Sequence, residues 1–185
     1  MRQTTWIFGF VLLAASCGKQ GSPTGILVEG KDNISANNRF ADVRKLAQSV
    51  DSTLKLIIIW SRNVNEDGLA SSWIFSYGTP NPPPTYYYFT ATFDSVRMDS
   101  VSGGGLVGAA FITHAWMNSN AALEIAETNG GQGFRSANPG YAIGASLGEP
   151  VVPSPSTCWY LTYRSTMDPD KYLNVTIDAT MGYVK

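Results

Sequence analysis

Hydrophobic and polar positions along the chain fall into three rhythms, and each rhythm predicts an element type. Leu173, Val175, Ile177 and Ala179 alternate with Tyr172, Asn174, Thr176 and Asp178, the period-two pattern of a strand with one buried face. Phe89, Ala91 and Phe93 alternate with Tyr88, Thr90, Thr92 and Asp94 in the same way. Trp73, Phe75 and Tyr77, and later Trp159, Leu161 and Tyr163, form one face of two further strands. The segments LKLIIIWS and YAIGASLG read as strands as well. A helical period marks Val43, Leu46, Ala47 and Val50, and again Ala122, Ile125 and Ala126. Ser119 stands where an N-cap is expected and Gly130-Gly131 where the second helix should stop.

These elements recur in the same order. SSWIFSYGT and TCWYLTYRST are each followed by a Pro-containing turn and then by a strand ending in Asp; a helix and a strand precede each. The order helix–strand–strand–strand occurs twice, which predicts an α+β fold of two αβββ repeats, each an antiparallel sheet packed on a helix. Short turns favour antiparallel neighbours, because a parallel pair needs a long crossover. The expected boundaries are residues 39–105 for the first repeat and 106–185 for the second.

The first residues follow a third rhythm. Arg2 precedes an uninterrupted apolar run from Trp6 to Ala15, too short to span a bilayer, and small residues follow it. This is the layout of a secretion signal over residues 1–16. Leu13-Ala14-Ala15-Ser16-Cys17 resembles the lipobox of bacterial lipoproteins, in which the thiol that follows the cleavage point carries lipid. The resemblance implies acylation at Cys17 and a lipid-anchored place in the bacterial cell envelope, at the outer membrane and facing the periplasm or the surface. A plain secreted protein is the alternative. Residues 17–38, rich in Gly, Ser, Asn and Lys, read as a flexible tether.

Composition narrows the functional classes. The 185 residues are 44% hydrophobic and only 15% charged, with 13 Lys+Arg against 14 Asp+Glu. No basic patch is available for phosphates, so a nucleic-acid partner is not expected. With Cys17 acylated, Cys158 has no disulfide partner and reads as a small buried hydrophobe. The single His114 has no motif around it. Gly103 to Gly108 spells G-x-G-x-x-G, but polar residues precede it where a dinucleotide fold needs an apolar strand. No metal-ligand spacing and no Ser-His-Asp or HExxH layout is present, so neither an enzyme nor a cofactor or metal is expected.

YLNVTIDATMGYVK, a strand closing on Asp-Ala-x-x-Gly-x-Val, resembles the end of PepSY domains, and ALEIAETNGGQGF is similar to the PepSY helix. Two such units in tandem are similar in plan to the β-lactamase-inhibitor-like fold. The resemblance covers most of residues 119–185 and, more faintly, 40–101. It implies an extracytoplasmic binding or inhibitory module that acts on a protein partner in the envelope. A structural envelope lipoprotein, or a small-ligand carrier with a pocket between the repeats, are the alternatives.

The surface that could serve such binding is the outward sheet face. It comprises Tyr86, Tyr88, Thr90 and Thr92 in the first repeat and Tyr160, Thr162, Tyr172, Asn174 and Thr176 in the second. Tyrosine offers contact area and a hydrogen bond together, which suits interfaces. Strand propensity alone also accounts for a Tyr- and Thr-rich face.

Overall fold

Among the described residues the alternating segments pair into a single antiparallel sheet. A computed structural model describes residues 32–103, 110–150 and 156–185. In chain order the elements are α1 (Phe40–Val50), β1 (Lys55–Ser61), β2 (Ser72–Gly78), β3 (Thr85–Thr92), β4 (Val96–Gly103), α2 (Ser119–Ala126), α3 (Gln132–Ala137), β5 (Tyr141–Gly148), β6 (Cys158–Ser165) and β7 (Tyr172–Asp178). The sheet order among the described residues is β4-β3-β2-β1-β5-β6-β7, and the fold is α+β, as expected. Residues 1–31, with Cys17 and the signal segment, lie outside the described residues, as do 104–109, where the expected boundary between repeats falls.

Three expectations are corrected. Two separate sheets were expected, but β1 and β5 pair antiparallel from Ile58↔Gly148 to Ser61↔Ala145 and fuse them into one. An extra strand, β4, pairs with β3 from Thr85↔Gly103 to Ala91↔Val96. It is exposed along nearly its whole length, so no apolar alternation marks it in the sequence. The end of the expected tether is part of the folded body: Ile34 and Ala36 are buried, and Ile34 exchanges backbone hydrogen bonds with Ala70.

One face of the sheet carries the two longer helices, with α1 against β3 and β4 and α2 against β6 and β7. Val43 and Ala47 of α1 and Ala122, Leu123 and Ala126 of α2 are buried there. They join Trp73, Phe75, Phe89, Ile143, Leu147, Trp159, Leu161 and Ile177 in one continuous core. Each large side chain so buried contributes about 1.5–3 kcal/mol of transfer free energy. Phe93 is exposed because β3 ends at Thr92, one residue before the alternation would bury it.

The helix termini depend on side chains. Asn118, not Ser119, caps α2: its backbone is extended and its side-chain oxygen accepts from the Ser119 amide at 2.8 Å. Ser119 is buried and joins three segments instead, donating to the Gly68 carbonyl at 2.7 Å and accepting from the Ala36 amide at 3.0 Å. The break after α2 falls at Asn129 and Gly130, where Gly130 takes a φ of 110°.

Between the start of β1 and the end of β5 the sheet is wedged open. Ala110 bridges to Glu149, and the Ile112 amide donates to the Leu56 carbonyl at 2.8 Å. The buried Glu149 carboxylate secures the wedge through one oxygen. That oxygen accepts from the Thr113 amide at 2.8 Å and the Thr157 hydroxyl at 2.9 Å, and His114 Nδ1 lies 3.0 Å away. His114, which has no motif in the sequence, therefore acquires a partner through tertiary packing.

Candidate functional site

The sheet face opposite the helices has no layer of secondary structure over it among the described residues, and its relief is set by side-chain size strand by strand. On β5 the residues facing this side are Ala142, Gly144 and Ser146, because Tyr141, Ile143 and Leu147 are buried toward the helices. β1 presents Ile58 and Trp60 on one flank, and β6 presents Tyr160, Thr162 and Arg164 on the other. The pairs Trp60↔Ser146 and Ser146↔Tyr160 put the two aromatic residues in one row with the serine between them. Their backbones are two strand spacings apart, about 10 Å. Large residues on both sides of a strip of small ones leave a trough of about 600 Å³ at the centre of the sheet.

Two arginines belong to this trough. Arg62 stacks on Trp60, its guanidinium carbon 5.4 Å from the ring centroid. Arg164 pairs in register with Ala142 and is exposed. Among the described residues neither arginine forms an ion pair with a carboxylate. Burial raises the Tyr160 hydroxyl above its usual pKa, so it is a neutral hydrogen-bonding group at physiological pH. The trough thus combines apolar walls, a neutral phenol and two unpaired cations.

The predicted face divides into two groups on either side of this trough. Thr162, Tyr172, Asn174 and Thr176 form a continuous patch with Tyr160 on β6 and β7, and the Thr162 hydroxyl donates to Asn174 Oδ1 at 2.9 Å. Tyr172 is 60% exposed at the outer edge. Tyr88, Thr90 and Thr92 stand on β3, four strand spacings from β6, or roughly 19 Å. Tyr88 is half-buried, and Thr92 bonds Asp94 and Ser95 in the tip of the hairpin. Two residues offer little surface. Thr90 is buried and its hydroxyl donates to Asp99, itself paired with Arg97 at 2.7 Å.

Tyr86 is covered because β1 carries a bulge. The register shifts between Leu56 and Ile58, and the extra residue, Ile57, is buried on the open side. A Cβ at Gly78 would lie 2.6 Å from Ile57 Cδ1 and 3.4 Å from Tyr86 Cδ1, so the two side chains meet over that glycine.

No family model, curated protein or solved structure matches the chain.

Trp60, Arg62, Arg164 and the strip of small residues were not singled out in the sequence. A signal for them was present in YAIGASLG, whose open-face positions are all small while its buried positions are large. Its meaning depended on knowing that β1 lies on the other side.

Proposed function

We propose that the protein is a non-catalytic binding module of the bacterial cell envelope, anchored through lipid on Cys17, that seats a segment of a protein partner on its open sheet face. The observation carrying this reading is the central trough, with Trp60 and Tyr160 as walls, Gly144 in its floor and Arg62 and Arg164 unpaired. Aromatic residues and arginine are the types that dominate binding energy at protein interfaces. An acidic side chain on the partner would complement the two cations. The mechanism is steric: the occupied segment of the partner is withheld from its other contacts.

Within this reading the body is two αβββ units joined edge to edge, the first extended by β4. Three correspondences support it. The sheet order is symmetric about the β1–β5 pair once β4 is set aside. Trp73 donates its indole N–H to the Ile34 carbonyl at 2.8 Å, and Trp159 donates to the Met117 carbonyl at 2.9 Å, each acceptor lying just ahead of a helix. A tyrosine follows each tryptophan four residues later, Tyr77 on β2 and Tyr163 on β6.

The test is a photo-crosslinking residue at Thr162 in intact cells, with one at Glu124 on the exposed side of α2 as control. A discrete adduct at Thr162, absent at Glu124 and lost with Gly144→Trp, is expected. Identical adducts from both positions overturn the sheet-face reading. For the anchor, intact-mass analysis of membrane-extracted protein should show lipid on Cys17, and an unmodified Cys17 overturns it.

A further inference from the structure

The two equivalent tyrosines meet different fates, and the difference defines a second site on the opposite face of the sheet. The Tyr163 hydroxyl donates to Glu127 Oε1 at 2.9 Å. Arg135 holds the same carboxylate, with Nη2 2.6 Å from Oε2, and Arg135 also reaches the Tyr141 hydroxyl at 3.3 Å. The buried phenol is thus satisfied by a carboxylate that a guanidinium clamps. Tyr77 is similarly buried, at 3% exposure, yet its hydroxyl has no hydrogen-bond partner among the described residues. A buried hydroxyl left unpaired has lost its water and gained nothing in return, so its retention points to a partner from outside the fold.

The surroundings of Tyr77 supply every part of the second triad except the acid. Tyr77 lines a cavity of about 580 Å³ between α1, the start of β1 and the segment 111–116. Arg44 on α1 also lines it and is near enough to the Tyr77 hydroxyl to counter, in part, the effect of burial on it. Lys55 stands at the same cavity, its ammonium 5.6 Å from the Phe111 ring centroid. The helix position matching Glu127, one residue after the last buried alanine of the stripe, is Gln48 in α1, which is neutral. Phe40 and Trp116, edge to face at 5.4 Å, give the cavity an aromatic wall with Phe111. Among the described residues no carboxylate pairs with Arg44 or Lys55.

We propose that this cavity binds a small amphiphilic carboxylate, whose apolar body lies against Phe40, Phe111 and Trp116. Its carboxylate accepts from the Tyr77 hydroxyl and pairs with Arg44 and Lys55, the role that Glu127 fills in the other half. Arg44 and Gln48 line the cavity from α1 and are exposed there. This site does not depend on the sheet-face reading, since it lies on the helix side.

The test uses the full folded chain with phenylacetate and decanoate as probes and phenylacetamide as the uncharged control, followed by ligand-observed NMR and tryptophan fluorescence. At least one carboxylate should bind saturably, and at least tenfold more tightly than the amide where phenylacetate is the ligand. Tyr77→Phe and Arg44→Gln should each weaken binding about tenfold, whereas Tyr163→Phe should leave it unchanged. Failure of both carboxylates to bind at millimolar concentration overturns the proposal. So does equal binding of phenylacetate and phenylacetamide, or unchanged affinity in Tyr77→Phe.

Discussion

Trp73 and Trp159 meet edge to face, their ring centroids 5.9 Å apart and their planes at 72°. Both are fully buried, and each fixes a chain segment ahead of a helix by donating its indole N–H to a backbone carbonyl. The contact lies under the centre of the sheet, where Trp116 adds a further edge-to-face contact with Trp159 at 6.3 Å. The two halves of the core therefore share their largest side chains instead of meeting across a polar seam.

Truncation of either tryptophan should be among the most damaging single changes. Trp73→Ala or Trp159→Ala removes transfer free energy and an indole hydrogen bond and leaves a cavity, which together cost about 3–5 kcal/mol. Urea unfolding monitored by circular dichroism measures the loss. Because the rings touch, the double variant should lose less than the sum of the singles, and strict additivity would show that the contact carries no coupling.

Two glycines, one in the loop between β1 and β2 and one in β5, should respond in opposite directions to substitution. Gly68 has a φ of 76°, and a Cβ there would lie 2.5 Å from the Ser119 carbonyl oxygen and the Asn120 Cα. Gly68→Ala should cost about 2–4 kcal/mol from backbone strain and overlap. Gly144 sits in a strand, where among the described residues a Cβ would meet only the Ser61 carbonyl oxygen, at 3.9 Å. Gly144→Ala should stabilise by about 0.5–1 kcal/mol, because glycine is entropically costly in a strand. Thermal melts of the two variants read the sign directly.

Acid should loosen the wedge at β5. Burial works against ionising Glu149, but hydrogen bonds from the Thr113 amide, His114 and Thr157 prevail and hold its pKa below the ordinary glutamate value. Asp178 is held down chiefly by the Met181 amide, with help from the Thr180 amide and Lys185. A carboxylate with a depressed folded-state pKa stabilises the fold fully above its unfolded pKa and ceases to do so as pH falls through the folded one. Stability should thus be flat near neutrality and decline below about pH 4. Glu149→Gln should cost about 1–2 kcal/mol at neutral pH and flatten that decline, whereas an unchanged acid limb would remove Glu149 as a contributor.

How much of this was legible in the sequence follows from which interactions are local. Alternation around Trp73, Trp159 and Ile177 identified β2, β6 and β7 and their buried faces, because a half-buried strand writes its burial into every second residue. The strand β4 was not legible, since Arg97, Asp99 and Ser100 are exposed and follow no period. The burial of Tyr86 depends on the Ile57 bulge, a register event between two strands that no spacing within one strand reveals. The trough was half legible: the small residues of β5 were visible, but their flanks come from β1 and β6, and β1 lies some 80 residues away in sequence. The partnerless Tyr77 hydroxyl was illegible, because it is defined by what the fold fails to bring near it.

Reversing the trough charges should separate binding from folding. Arg62 and Arg164 are exposed and form no ion pair among the described residues, so Arg62→Glu with Arg164→Glu should shift the melting midpoint little, apart from the loss of the Arg62–Trp60 stacking, about 0.5–1 kcal/mol. If an acidic segment occupies the trough, the same pair should abolish the Thr162 crosslink in cells and weaken capture of the crosslinked partner by at least tenfold. That affinity should also fall with added salt in the unaltered protein, since exposed charges are screened over about 8–10 Å at physiological ionic strength. The screening argument makes the sign of the salt effect diagnostic. Binding that strengthens with salt would mean that Trp60 and Tyr160 carry the contact alone, and the arginines would then be solvated bystanders at its rim.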